Sequence, residues 1–317
     1  MKRKTSFSSI INTSSRYSNL TSNLALASPL PVGVKVSFEF FPPDTDKSNQ
    51  TLWNSILRLA PLNPSFVSIT YGAGGTTRER THDTVSRIHK ETKLKAAAHL
   101  TCVSATREEV DSVARQYWAT GIHHIVALRG DSPKGVYDYV SDTKGYLSAE
   151  DLVAGLKKIA NFQISVAAYP ESHPKASSSE ADLDNLKRKI DAGATQAITQ
   201  YFFNVDTYLR FLDRARTAGI TVPIIPGILP VTNFKRVAEF SKLCGTNIPL
   251  WMKGLFAGLD DEPETRKLIA ASLAAEQCRV LNANGINQFH FYTMNQADLC
   301  FAICHMLGVQ PQPLMKA

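Results

Sequence analysis

Residues 34–43 read Val-Lys-Val-Ser-Phe-Glu-Phe-Phe-Pro-Pro. Apolar side chains alternate with Lys35, Ser37 and Glu39, and this period of two is typical of a β-strand with one buried face. The apolar face should pack against a layer of helices, so Glu39 should point to the other side, into a closed barrel. The two prolines that follow should end the strand, because proline donates no hydrogen bond to a strand ladder.

Seven more short apolar runs follow, and most are separated by one stretch with helical patterning. They begin near Phe66, Leu94, Ile122, Gln163, Gln196, Val222 and Asn287. Nearly every run ends in polar or charged residues that a buried strand does not need, among them Thr70, His99, Arg129, Asp131, Tyr169, Gln200 and Tyr292. Eight such units predict an α/β fold, a (β/α)₈ TIM barrel whose C-terminal strand ends form one active site. Residues 232–284 hold two or three helices, which is more than the repeat requires.

The chain has 317 residues, and one barrel of about 250 residues plus extensions uses nearly all of them. We therefore predict a single catalytic domain over residues 32–317. Residues 1–31 are rich in Ser, Thr and Asn and contain no acidic residue, which favours a disordered basic tail; an organelle transit peptide is the alternative. The segment lacks the apolar core of a secretory signal, so the expected compartment is the cytoplasm, or an organelle if the segment is a transit peptide.

The formal charge of +7 suggests a nucleic-acid partner, but the basic excess lies in the wrong place. Residues 1–35 hold five of the 35 basic residues, which leaves 30 basic against 28 acidic residues in the remainder. A nucleic-acid-binding domain needs its basic excess on the folded surface, so no nucleic-acid partner is expected. The five cysteines contain no CxxC pair, which fits a reducing compartment. No apolar run approaches the roughly 18 residues of a membrane helix.

Two carboxylates at predicted strand ends are candidate catalytic groups. Glu39 lies among phenylalanines, and apolar surroundings should raise its pKa, as a general acid at neutral pH requires. The structural alternative for Glu39 is an ion pair with Lys35 or another inward base. Asp131 follows Arg129 and Gly130 and can stabilise a developing cation; its structural alternative is an Asx-turn.

Two loops at the predicted strand ends are candidate ligand contacts. The loop Tyr71-Gly-Ala-Gly-Gly-Thr-Thr77 matches neither the P-loop nor the dinucleotide glycine pattern. It predicts either a tight turn with a capping threonine or a ligand cradle. The loop from Ser132 to Tyr146 is long for a strand–helix connection, which favours a lid or binding loop.

Polar residues of strands three and five and of helix five leave two interpretations open. His99, Tyr169 and His173 are scattered and lack a metal-ligand spacing, so no metal is predicted. Helix five is predicted at Ala181–Ala192. Its polar residues near one face indicate either a ligand contact or a solvated surface, and they are Asp182, Asn185, Arg188 and Lys189.

Eight stretches resemble the methylenetetrahydrofolate reductase family, in order, between about residues 34 and 310. They are Ser37-Phe-Glu-Phe-Phe-Pro-Pro43, Ser68-Ile-Thr-Tyr-Gly-Ala-Gly-Gly-Thr76, Ala98-His-Leu-Thr101, Leu128-Arg-Gly-Asp131, Ala167-Ala-Tyr-Pro-Glu-Ser-His-Pro174, Thr199-Gln-Tyr-Phe-Phe203, Pro226-Gly-Ile-Leu-Pro230 and Phe289-His-Phe-Tyr-Thr293. The chain resembles the bacterial form of the family, a catalytic domain alone, since it ends soon after the eighth strand.

The resemblance implies a flavoprotein that binds FAD at the C-terminal face of the barrel. NADH or NADPH, which the sequence does not distinguish, would reduce the flavin and leave. By this ping-pong cycle 5,10-methylenetetrahydrofolate would then become 5-methyltetrahydrofolate, which feeds methionine synthesis. A homo-oligomer is implied as well, without a membrane partner.

The resemblance also assigns roles to residues. Glu39 would be the general acid that opens the methylene bridge, and the charge of Asp131 would favour the cationic iminium. Gln200 would contact the pterin, and Phe240 would border the nicotinamide and the folate. The positions that match FAD contacts are Thr70, Tyr71, His99, Arg129, Gly130, Asp131, Ala149, Tyr169, His173, Asp182, Asn185, Arg188 and Lys189.

Two positions associated with substrate binding depart from the family pattern. Family members commonly have Arg where this chain has Gln296, and many bacterial members have Gln where it has Arg236. Our hypothesis is that the cation that meets the folate glutamate has moved to Arg236.

Two other functions are weighed against the reductase. A barrel lyase or aldolase without flavin needs a Schiff-base lysine or a metal cluster, and no predicted strand end offers a convincing lysine. A nucleic-acid-binding protein would depend on the basic tail. The colour of the purified protein separates the reductase from the lyase or aldolase, since a flavoprotein is yellow. Deletion of residues 1–31 should abolish the activity of a nucleic-acid-binding protein but not that of the reductase.

Overall fold

A computed structural model of the chain describes residues 31, 33–71, 78–131 and 144–312. Nine strands form one parallel sheet in the order β7-β6-β5-β4-β3-β2-β1-β9-β8. The strands are β1 (Lys35–Phe40), β2 (Val67–Ile69), β3 (Ala96–Thr101), β4 (His124–Leu128), β5 (Gln163–Ala168), β6 (Gln196–Thr199), β7 (Ile224–Ile225), β8 (Gly227–Ile228) and β9 (Gln288–Tyr292).

The seventh barrel strand is interrupted, and this explains why nine strands make an eight-stranded barrel. β7 pairs with β6, whereas β8 pairs with β9, and only Pro226 separates the two short strands. Proline has no backbone N–H and cannot continue the ladder, but its carbonyl accepts a hydrogen bond from the backbone N–H of His290 at 3.0 Å. The (β/α)₈ barrel predicted from the sequence is therefore confirmed.

Ten α-helices surround the sheet in the described part of the chain. They are α1 (Asp46–Leu59), α2 (Arg78–Glu91), α3 (Arg107–Ala119), α4 (Ala149–Ile159), α5 (Ser179–Asp191), α6 (Val205–Thr217), α7 (Phe234–Cys244), α8 (Leu250–Phe256), α9 (Pro263–Ala283) and α10 (Ala297–Met306). The additional helices predicted before the last strand are confirmed as α7, α8 and α9. Helix α5 starts two residues before the predicted Ala181, because the hydroxyl of Ser178 accepts a hydrogen bond from the N–H of Ala181 and caps the helix.

The two faces of β1 follow the predicted alternation. Val36, Phe38 and Phe40 are buried in the large apolar core, whereas Glu39 lines a cavity on the other side of the sheet. A second small apolar cluster lies around Phe66, with Ala97, Val126 and Ile198. Glu39 therefore faces the barrel interior, which also holds the small cluster around Phe66. The outer face of β1 contributes its apolar side chains to the large core.

Several predictions fall partly or wholly outside the described residues. These are the basic tail over residues 1–31, the glycine loop 72–77 and most of the loop from Ser132 to Tyr146. The domain boundaries stay predictions for the same reason. None of the described helices has the length and apolar content needed to span a bilayer.

Candidate active site

A cavity of about 920 Å³ opens at the C-terminal ends of the barrel strands. Its lining is mostly apolar and aromatic, with a few polar and charged side chains, which is typical of a small-molecule site. The structure brings together seven of the residues predicted from the sequence: Glu39, His99, Tyr169, Gln200, Arg236, Phe240 and Gln296. The cavity is therefore the place where Glu39 meets the predicted substrate-binding residues.

Glu39 is the acidic group at the floor of this cavity. Its Oε2 lies 3.3 Å from Nε2 of His99 and 3.4 Å from Nε2 of His290, and its side chain is 14% exposed. Burial alone raises the pKa of Glu39, but the two imidazoles outweigh it and lower the pKa to about 2. The predicted rise of this pKa is therefore wrong, because two histidines distant in sequence face the carboxylate.

His290 was not among the residues that the sequence singled out. Its ring is fully buried, and its Nδ1 lies 2.8 Å from the hydroxyl of Ser37. His290 lies in the run Phe-His-Phe between Phe289 and Phe291, both buried on the opposite face. The alternation of this strand was the available signal, since it places His290 on the same face as Tyr292, which lines the cavity.

The end of β4 carries the predicted Arg129, Gly130 and Asp131. Gly130 has φ +88°, and a Cβ there would lie 2.5 Å from a methyl group of Val103, so the position requires glycine. Arg129 and Asp131 are exposed, and neither lines the cavity. Burial raises the pKa of Tyr169, which lines the cavity, to about 12, and the negative charge of Asp131 adds to that rise.

The end of β5 and the start of α5 hold another predicted group. The ring of Tyr169 meets the ring of His173 edge to face at 4.7 Å. The backbone N–H of His173 donates to Oδ2 of Asp182 at 2.9 Å. These contacts join three predicted ligand residues into one unit beside the cavity.

The four polar residues of α5 do not form one solvated surface. Lys189 is buried and donates to the carbonyl of Ala167 at 2.6 Å, and burial lowers its pKa to about 8. Arg188 is exposed and pairs with Glu150 at 3.0 Å, next to the predicted Ala149 at the start of α4. Asn185 is exposed. The solvated-surface interpretation is therefore wrong for Lys189, whose ammonium points toward the barrel.

Thr70 and Tyr71 lie where the chain leaves β2. The N–H of Thr70 donates to the carbonyl of Phe40 at 2.9 Å, and its own carbonyl accepts from the hydroxyl of Thr81 at 2.8 Å. Tyr71 meets the ring of His82 edge to face at 6.1 Å, and burial raises the pKa of Tyr71 to about 12. The entry to the glycine loop is thus anchored to both β1 and α2.

The mouth of the cavity combines aromatic rings with amides and a cation. The exposed ring of Phe240 stacks on Tyr201 with centroids 6.2 Å apart. Gln200 accepts a hydrogen bond from the N–H of Tyr201 at 3.0 Å through its Oε1, which leaves its NH₂ group for a ligand. Among the described residues the guanidinium of Arg236 has no ion pair, and Gln296 lines the same cavity.

The family model for methylenetetrahydrofolate reductase matches residues 32–308. The chain belongs to the methylenetetrahydrofolate reductase family. It is 55% identical to the 5,10-methylenetetrahydrofolate reductases of Salmonella typhimurium and Escherichia coli, over 88% of this chain and 92% of each relative. It is 35% identical to methylenetetrahydrofolate reductase (NADH) 1 of Arabidopsis thaliana, over 86% of this chain and 48% of that protein. Members of this family are oxidoreductases, and this chain is one of them.

A solved structure supports the fold of the methylenetetrahydrofolate reductase family member described above. It is an uncharacterised protein from Clostridium thermocellum that binds two copies of 5-methyl-5,6,7,8-tetrahydrofolic acid, with a TM-score of 0.59 and 18% identity. The match covers 87% of this chain and 94% of that one. Within the described residues, no group of three or more His, Cys, Asp or Glu side chains is arranged to hold a metal ion.

Proposed function

We propose that this chain reduces 5,10-methylenetetrahydrofolate to 5-methyltetrahydrofolate with FAD and NAD(P)H in a ping-pong cycle, and so supplies methyl groups for methionine. The observation that carries the proposal is the Glu39 carboxylate on the floor of a cavity that is large enough for a heteroaromatic ligand. The names of the bacterial relatives support the substrate, and the folate bound by the Clostridium thermocellum protein is consistent with it.

The barrel interior fits a flavin. Three buried polar atoms have no hydrogen-bond partner in the described part of the chain: Ser68 Oγ, His99 Nε2 and Thr101 Oγ1. Buried polar atoms in proteins are normally satisfied, and the polar edge of an isoalloxazine ring offers both donors and acceptors. Arg129 and Arg188, both exposed beside the strand ends, would meet the pyrophosphate. FAD bound here would accept a hydride from NAD(P)H and pass it to the folate.

The remaining predicted residues would bind and orient the folate. The NH₂ group of Gln200 and the ring of Phe240 would meet the pterin, while Arg236 at the mouth would meet the glutamate carboxylates. The negative charge of Asp131 would favour the cationic iminium that forms when the methylene bridge opens. Glu39 would supply the proton that the departing nitrogen needs.

An anaerobic visible spectrum tests the proposal. The purified protein should show flavin bands that bleach on addition of NADH, the donor in the name of the Arabidopsis relative. The bands should return when methylenetetrahydrofolate is added afterwards. A colourless protein that does not take up FAD would leave the barrel in place and remove the proposed function. Bands that bleach but do not return would remove the folate as the oxidant.

A further inference from the structure

The two imidazole rings that face Glu39 differ in the hydrogen bonds that fix their orientation. Both ring nitrogens of His290 have partners: Nδ1 lies 2.8 Å from the hydroxyl of Ser37, and Nε2 lies 3.4 Å from Oε2 of Glu39. Nε2 of His99 lies 3.3 Å from the same oxygen, but it makes no aligned hydrogen bond. His290 is therefore the imidazole with a fixed direction toward the carboxylate.

The contacts of Ser37 decide which nitrogen of His290 carries hydrogen. The Ser37 hydroxyl has one hydrogen and the carbonyl of Phe289, at 3.4 Å, can only accept it, so both contacts are satisfied together when Ser37 accepts from Nδ1 of His290. Nδ1 of His290 must then be the donor, and Nε2 of the neutral ring would face Glu39 with a lone pair. A carboxylate and a lone pair repel each other, so the contact between Oε2 and Nε2 is favourable when one proton lies between them.

This pair is closed off from the lower end of the barrel. The ring of Phe66 stacks on His290 with centroids 5.5 Å apart and meets His124 edge to face at 4.6 Å. It thereby separates the pair from the polar group formed by His124 and Ser165, whose Nε2 and Oγ are 2.7 Å apart. Glu39 lines the cavity and His290 is fully buried, so the pair meets water on the cavity side.

Three other titratable groups face the pair. They are His99 from β3, His124 from β4 and Tyr292 from β9. Burial raises the pKa of Tyr292 well above its ordinary value, so its hydroxyl stays protonated. Burial, with His290 and His99, lowers the pKa of His124 to about 3, so His124 stays neutral near pH 7.

The proposed reaction needs a pair of groups that can hold one proton and transfer it. When the methylene bridge opens, the bond from the bridge carbon to one folate nitrogen breaks, and its electron pair stays on that nitrogen. The nitrogen takes up one proton, and the carbon becomes an iminium that later accepts the hydride. Each turnover thus consumes one proton, which the site must recover from water.

We propose that His290 is a positioning residue that stores this proton and returns it through Glu39, with Ser37 fixing its orientation. The inference rests on the proposed function. Glu39 takes the proton from Nε2 of His290 and gives it to the departing nitrogen, which leaves a carboxylate beside a neutral imidazole. One proton from water, entering through the cavity, restores the pair.

The test compares His290→Gln with His124→Gln in FAD-loaded protein. Glutamine at position 290 can still donate an N–H hydrogen bond to Glu39, but it has no titratable proton to transfer. Flavin reduction by NADH should stay within about twofold, while flavin reoxidation by methylenetetrahydrofolate should slow by about 100-fold. The reoxidation rate should also begin to fall at a lower pH; this fall on the alkaline side of the pH profile is its alkaline limb. His124→Gln removes another buried ring, which touches Phe66 but not Glu39, and the alkaline limb of this variant should not move.

A purely structural role for His290 would slow reoxidation equally at every pH, and an unmoved limb overturns the inference. If His290→Gln does not retain FAD, Ser37→Ala decides, with a smaller shift expected in the same direction. Nitrogen-15 NMR of histidine-labelled, FAD-loaded protein gives a second readout: the His290 signal, identified by its loss in His290→Gln, should show a protonated Nδ1. Hydrogen on Nε2 alone overturns the inference. Wild-type flavin that folate never reoxidises removes the proposed function instead.

Discussion

Glu39 is the residue on which the proposed chemistry depends most directly. Glu39→Gln keeps the shape of the side chain but removes the acid, so folate reduction should fall by about 10²–10⁴-fold. Reduction of the flavin by NADH requires no proton from Glu39 and should survive. Stopped-flow measurement of the two half-reactions separates these effects. A parallel loss of both would mean that Glu39 acts structurally, through its contacts with His99 and His290.

Arg236 tests the hypothesis that the folate-binding cation has moved. An exposed charge-assisted contact contributes on the order of 0.5–1.5 kcal/mol, so Arg236→Gln should raise the folate KM roughly two- to tenfold with little change in kcat. Lys235→Gln is the matched control, because Lys235 pairs with Asp260 at 2.7 Å and does not line the cavity. Equal folate KM values for wild type and Arg236→Gln would contradict the hypothesis.

The direction of side chains along single strands could be predicted from the sequence, but their long-range partners could not. Alternation correctly placed Glu39 inside the barrel. The sign of its pKa shift was wrong because it depends on His99 and His290, which reach it only after the barrel closes. The buried position of Lys189 was missed for the same reason, since helical spacing does not show which side of α5 meets the sheet.

At the level of elements, the close packing around Gly227 in the seventh barrel strand leads to a prediction about stability. A Cβ on Gly227 would lie 2.2 Å from the carbonyl oxygen of Thr199 and 2.6 Å from the ring of Tyr292. Gly227→Ala should therefore lower the free energy of unfolding by about 1–3 kcal/mol. Gly254→Ala is the matched control in α8, where nothing lies within 4 Å of the added Cβ, and it should be stabilising by roughly 0.5–1 kcal/mol.

Urea denaturation of the two glycine variants measures both effects. Equal midpoints for Gly227→Ala and wild type would mean that β8 can move away from Thr199 at no cost. The sequence predicted one continuous strand over Val222–Ile228, whereas the structure splits it at Pro226. The proline and its neighbouring glycine were visible, but whether they bend, break or end a strand depends on which neighbours accept the remaining hydrogen bonds.

At the level of the whole molecule, His124 couples folding to pH. The pKa of this buried ring is lowered to about 3, chiefly by burial, whereas in the unfolded chain it should be about 6.5. Between these values the unfolded state binds more protons, so the free energy of unfolding should fall as the pH falls. The slope from His124 is at most about 1.4 kcal/mol per pH unit.

The measurement is urea denaturation of wild type and His124→Gln at pH 7, 6 and 5. The wild-type stability should fall more steeply with acid than that of the variant. Glu39 does not confuse the comparison, because its lowered pKa adds stability that is lost only between about 4.5 and 2. Parallel slopes for the two proteins would show that the fold accepts a charged His124.

The architecture as a whole was the most predictable level. Eight repeated strand–helix units point to one closed barrel, because parallel strands need crossovers and helices need a sheet to cover. The compartment, the homo-oligomer and the role of the basic tail stay predictions. They depend on surfaces and partners outside the single folded chain.

The interrupted strand determines where the barrel should open locally. Two residue pairs join β6 to β7 and two join β8 to β9, whereas five pairs join β1 to β9. Local opening starts where the fewest hydrogen bonds hold, so backbone amides that bond around Pro226 should exchange with deuterium before those that join β1 to β9. Each such opening exposes two unpaired strand edges of the kind that invites another chain to add a strand. The short pairings of β7 and β8, which close the barrel, are thus also where strand addition by another chain, and so aggregation, is easiest.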